Sequence, residues 1–115
     1  MNQEALKERC KMLALRVMCL IDHLPKSVQG RVIADQIMRS ASSVAANYRA
    51  ACRARSKAEF VAKLSIVVEE ADETVLWLEI IQDGKLLPEN RVGSLLEEAN
   101  EITAIMVASR KTASS

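Results

Sequence analysis

Apolar residues recur along this chain in alternating steps of four and three. In the first segment they fall at Leu6, Cys10, Leu13, Val17, Leu20 and Leu24, which is one stripe of an α-helix and no single face of a strand. A second stripe runs through Ile33, Ile37, Ala41, Val44, Tyr48 and Ala51 or Cys52. A third takes Phe60, Leu64, Val67, Ala71, Val75 or Thr74, Leu78 and Ile81, and a fourth takes Val92, Leu95 or Leu96, Ala99, Ile102, Met106 and, at its end, Ser109. A lone helix cannot bury its own stripe, so each of the four needs the others.

Punctuation residues set the ends. Pro25 predicts a stop near Leu24, and the second helix then spans Val28 to Ala54. Ser56 with Glu59 three residues on has the form of a capping box, which starts the third helix. Gly84 offers the left-handed residue that closes it, and Pro88 suits the first turn of the fourth. Residues 112–115 are expected to fray. Helices of this length are rods of roughly 30 to 40 Å, and their short connections make neighbours antiparallel. The expectation is an all-α chain, one domain over residues 1–115, folded as an antiparallel up-down-up-down four-helix bundle. Composition agrees, because 3% aromatics, three Gly and two Pro leave little for strands and their turns.

Cys10, Cys19 and Cys52 are odd in number and sit in helical patterns, so they read as small core residues of a reducing cytoplasm rather than as a disulfide framework. The N-terminal segment is interrupted by Lys7, Arg9, Lys11, Arg16 and Asp22, which excludes a membrane span and lacks the order of a signal peptide. The formal charge of +1 conceals a divided molecule. Pro25 to Lys63 holds eight basic and two acidic residues, whereas Leu64 to Glu101 holds two basic and ten acidic.

No catalytic constellation emerges. The single histidine, His23, follows Asp22 at a helix end, where a solvated cation suits the negative terminus. A Ser or Cys nucleophile therefore has no base. Glu69, Glu70, Asp72 and Glu73 invite comparison with carboxylate-bridged metal bundles, but no helix carries the Glu-x-x-His those sites require. Neither a metal nor a cofactor is expected, and the chain reads as a non-enzyme.

Two other groupings stand out. Gln36, Arg39, Ser43 and Asn47 form a polar stripe beside the second apolar one. If the second and third helices make a hairpin cornered near Arg55, facing residues have numbers summing to about 109. Arg39 then meets Glu70, with Glu73 a turn further on. The expectation is a half-buried pair with Ser43 and Asn47 satisfying spare valences, a network that fixes register more than it adds stability. In the second grouping Ser42, Ala46, Ala50, Ala54, Ala58 and Ala62 repeat every four residues, flanked by Arg49, Arg53, Arg55 and Lys57. Alanine is a good helix former in its own right, but small residues at this spacing also leave a groove for close approach. The four cations can be a solvated face, an acceptor for the acidic half of another copy, or a track for phosphates. Base-stacking aromatics are scarce, Tyr48, Phe60 and Trp77 being the only ones, so RNA or DNA would be held by backbone charge and shape.

The run QIMRSASSVAANYRAACRARSKAEF, the later Glu73 and the closing EANEITAIMVASRKT resemble the four-helix bundle proteins encoded in intervening sequences of bacterial 23S rRNA genes. The similarity covers residues 24 to 112 and centres on Gln36 to Arg39, Ser43 to Asn47 and Arg55 to Phe60; many members carry Glu where this chain has Ala50. The resemblance implies a homopentameric ring. It also implies kinship with accessory proteins of diversity-generating retroelements, whose basic ring surfaces bind nucleic acid and a reverse transcriptase. The function expected is a homo-oligomeric scaffold or adaptor that binds RNA or DNA through Arg49, Arg53, Arg55 and Lys57. A protein-interaction module that uses the same cations in subunit contacts is the alternative.

Overall fold

In the computed structural model, which describes residues 1–115, four helices follow one another: α1 (Gln3–Ile21), α2 (Val28–Cys52), α3 (Lys57–Asp83) and α4 (Glu89–Ser114). They run alternately up and down in a rod of 44 × 22 × 20 Å. Each packs on its two neighbours and none reaches across the diagonal. The α2–α3 and α3–α4 seams are the closest, and α1 against α4 is the loosest.

The four stripes meet in one apolar core. All six residues of the first stripe are buried, as are Ile33, Ile37, Ala41, Val44, Tyr48 and Ala51 of the second. The pairs left open resolve by packing. Thr74 and Val75 are both buried, because α3 is wedged between two close neighbours and must cover a wider arc. Leu95 is buried and Leu96 only partly so, and Phe60, at the start of α3, is also partly exposed. Cysteine divides three ways: Cys10 is buried, Cys52 intermediate and Cys19 exposed, so the expectation of three core thiols fails for Cys19. Cys19 sits on the outer side of α1, one residue short of the buried stripe that passes through Leu20.

Helix ends follow capping chemistry, with corrections. Asn2, Ser27 and Ser56 each accept a hydrogen bond from the third residue on, at 2.8, 3.1 and 3.1 Å. Only the hydroxyl half of the Ser56–Glu59 box forms, since the Glu59 carboxylate makes no return bond. α1 ends at Ile21, three residues early, and tight turn bonds from His23 and Leu24 carry the stripe on to buried Leu24. α2 likewise stops at Cys52 in bonds from Arg53 to Ala50 and Ala54 to Ala51. The left-handed residue after α3 is Lys85 (φ 55°), not Gly84, whose φ is −78°. Leu86 N–H then reaches Ile81 O at 3.0 Å and Lys85 N–H reaches Gln82 O at 3.1 Å, a Schellman closure displaced by one residue. Pro88 is the N-cap of α4 rather than part of its first turn.

One glycine is required by contact. Gly30, buried in the first turn of α2, lies under the Pro25 carbonyl, and a Cβ there would collide with that oxygen. Replacing Gly by Ala inside a helix ordinarily helps by about 0.5–1 kcal/mol. Here Gly30→Ala should instead cost about 1–3 kcal/mol through forced displacement of the α1–α2 corner, read as a lower urea midpoint. Ile37→Ala, which empties a fully buried site, should cost about 2–5 kcal/mol in the same assay.

Burial also ties stability to alkaline pH. It pushes the Cys10 thiol up from 9.0 to about 12, and raises the Tyr48 hydroxyl, which is further raised by its bond with Cys52. The folded chain keeps these protons where the unfolded chain releases them, so the contribution is complete below about pH 9 and disappears as pH climbs toward 12. Thermal scans should show Tm falling across that window, with a shallower fall in Cys10→Ala; an equal slope in the variant would exclude the thiol as a source.

Candidate functional site

The C-terminal half of α2 runs beside the N-terminal half of α1, and the small side chains of α2 leave a groove between them. Ser42, Ala45, Ala46 and Ala50 form its floor, and Lys11, Arg49 and Arg53 its cationic sides, around about 420 Å³. Helical spacing makes this local: Ser42, Ala46, Arg49, Ala50 and Arg53 lie three or four apart on one outward face. No carboxylate lines the groove. Arg49 and Arg53 are exposed and make no ion pair; Lys11 is 3.5 Å from Glu8. Nearby, the Glu4 carboxyl is held below its usual range, chiefly by a hydrogen bond from Lys7, with Arg49 adding a long-range pull.

Arg55 and Lys57 do not join them. The chain leaves helical geometry after Cys52 and turns through Arg53 to Ser56, so the small-residue repeat breaks into an α2 half and an α3 half instead of making one groove. Arg55 sits exposed in that corner. Lys57 opens α3 and donates to the Ser115 carbonyl at 3.0 Å, which directs it toward the chain's end. Lys11 takes their place in the groove. Its signal in the sequence was weak, since only the packing of α1 on α2 carries it there.

The polar stripe is also rearranged. Arg39 donates to Glu70 at 2.8 Å and, through its other terminal nitrogen, to Glu73. Its guanidinium is held protonated by Glu73 first and Glu70 second. The arginine is 52% exposed while Glu70 and Glu73 are 16% and 32% exposed, so the clasp lies over the α2–α3 seam with its cation half in solvent and its carboxylates largely covered. Trp77, half-buried, donates its indole N–H to the same Glu73 carboxylate at 3.4 Å. Ser43 and Asn47 stay apart from the clasp: Asn47 donates to the Ser43 hydroxyl and carbonyl at 2.8 and 3.0 Å. Gln36 makes no side-chain hydrogen bond within the chain.

Two contacts have no counterpart in the sequence pattern. Ser40 and Thr74 are fully buried with their hydroxyl oxygens 2.8 Å apart across the α2–α3 seam. Thr74 Oγ1 lies 2.9 Å from the Glu70 carbonyl and Ser40 Oγ 3.2 Å from the Ile37 carbonyl, so whichever hydroxyl donates to the other, the remaining proton has a backbone acceptor. Both are small polar residues within apolar stripes, a pattern indistinguishable from surface serine and threonine until the partner is in place. The other is Arg9 on α1, which grips Glu98 of α4 through two nitrogens at 2.6 and 3.0 Å and lies 3.0 Å from Glu101. That fork closes the loosest seam. No three His, Cys, Asp or Glu side chains are placed to share a metal ion.

A four-helix bundle with a cationic groove beside its first seam is the class this geometry defines. The chain belongs to the 23S rRNA-intervening sequence protein family, whose model matches residues 3–108 and thus takes in α1 as well as the later helices. It is similar to a solved structure from Bacteroides thetaiotaomicron, a protein of unknown function from the S23 ribosomal protein family. The two are 31% identical, with a TM-score of 0.87 over 96% of this chain and 99% of that one. No curated protein matches. No helix is long and apolar enough to cross a membrane.

Ser40→Ala should lower stability by about 1 kcal/mol, the scale of one net buried hydrogen bond. Chemical denaturation checks it, and an unchanged midpoint would show that the Ser40–Thr74 contact contributes nothing.

Proposed function

We propose that this protein is a non-catalytic, self-associating scaffold that holds the backbone of RNA or DNA in the groove of Lys11, Arg49 and Arg53. The observation that carries the reading is the contrast among its arginines. Arg9 and Arg39 are committed to carboxylates, whereas Arg49 and Arg53 face solvent over a floor too small to obstruct an approaching strand. Unpaired cations on a shallow floor suit phosphates, and counterion release from phosphates supplies sequence-independent affinity. Stacking has little part, since Tyr48 is buried and Trp77 is engaged with Glu73. Arg55, exposed at the adjacent corner, extends the positive field along the same end of the bundle. The homopentameric ring that the sequence resemblance implies would repeat the groove and multiply weak contacts into avidity. Three free thiols suit a reducing cytoplasm.

Fluorescence polarisation with a labelled single-stranded RNA and with duplex DNA, over a salt series, tests this. Affinity should fall steeply with salt. Arg49→Ala with Arg53→Ala should weaken binding and flatten the log–log slope by about one for every phosphate no longer neutralised. Binding absent at low salt, or indifferent to the double variant, sinks the nucleic-acid reading. A drop in assembly mass in the double variant without change in RNA affinity would assign both arginines to subunit contacts instead.

A further inference from the structure

The loose α1–α4 seam opens, at the end opposite the basic groove, into a depression of about 560 Å³. Met12, Leu15, Leu20 and Leu95 give it apolar walls, and Arg16 and Arg91 stand at its rim with no carboxylate among the lining residues. Arg16 is held in place by a 3.0 Å bond to Ser94 Oγ. Two of its large apolar side chains are solvent-exposed, Met12 at 43% and Leu15 at 40%. A cleft between two antiparallel helices is shaped for the ridge of a third. Its rim calls for acid on that ridge.

The chain carries such a ridge. On α3, diagonally across the bundle from α1, Leu76 and Ile80 are 48% and 37% exposed one helical turn apart. Asp72, Glu79 and Asp83 flank them, and none is in an ion pair. We infer that the depression between α1 and α4 receives the Leu76–Ile80 ridge of a second copy, with Arg16 and Arg91 facing its carboxylates. The argument is complementarity within one surface: apolar with cations on one side of the molecule, apolar with anions on the other. Two different patches in contact make a head-to-tail interface, so each copy is left with one free patch of each kind until the assembly closes. The inference deepens the self-association proposed above and rests on it. It also separates the two roles of the basic residues, since a contact at this seam leaves Arg49 and Arg53 uncovered.

Cys19 lines the depression and serves as a native probe. Ile80→Cys should give, under mild copper–phenanthroline oxidation, a ladder of disulfide-linked multimers on non-reducing gels. The ladder should vanish when Cys19→Ser is added, and Val107→Cys, exposed elsewhere on α4, should give none. A ladder rather than a dimer alone marks the head-to-tail geometry. Light scattering of Leu76→Lys and Arg91→Glu should show reduced mass, with helicity by circular dichroism unchanged. A multimeric protein with no Cys19-dependent ladder would overturn this interface and leave the self-association reading intact. A protein that stays monomeric at every concentration would overturn both.

Discussion

Mutual burial of four apolar stripes is the constraint from which the rest of the molecule follows. Leu13 and Val17, Ile37 and Val44, Leu64 and Leu78, Ile102 and Met106 are all sealed from solvent in one cluster. At roughly 1.5–3 kcal/mol for each large side chain fully buried, this outweighs any polar contact in the structure. Polar groups are accordingly displaced to the seams. There they act as fasteners: Arg9 with Glu98 across α1–α4, Arg39 with Glu70 and Glu73 across α2–α3, and Ser40 with Thr74 beneath it.

The seams are unequal, and the inequality shapes the surface. α3 lies tightly between α2 and α4 and so buries Thr74 and Val75 together. α1 meets α4 weakly, which leaves Met12 and Leu15 in view and opens a cleft beside Leu95. α1 meets α2 through alanine and serine, which leaves the cationic groove. The two depressions therefore lie on either flank of the same helix, toward opposite ends, and differ in chemistry: one is cationic over small side chains, the other apolar with a cationic rim. Their separation would let a single small bundle bind a polyanion and a sister chain at once.

Much of this was legible in the chain itself. Stripe positions, helix number, hairpin order and the caps at Ser27 and Ser56 depend on the local 3.6-residue period and on backbone groups a few residues away. The meeting of Arg39 with Glu70 was legible as well, because a short corner sets the register of an α2–α3 hairpin within about a turn. The detachment of Ser43 and Asn47 was not, since it depends on how far the helices rotate about their own axes. The displacement of the left-handed turn from Gly84 to Lys85 has a similar origin: closure depends on where Ile81 and Leu86 can both pack, and that packing offsets the roughly 1–2 kcal/mol a lysine loses in the left-handed region.

The sequence by itself determined that this protein is four amphipathic helices with charge of opposite sign on its two halves, because periodicity and composition act over a few residues and need no partner. Only the tertiary structure decided which cations are spent and which are free. It brought Lys11 to Arg49 and Arg53, sent Lys57 to the chain's end, and turned Cys19 outward beside Leu15. Those outcomes depend on the angle and closeness of helices far apart in the chain, which packing of the whole core sets and no local pattern encodes.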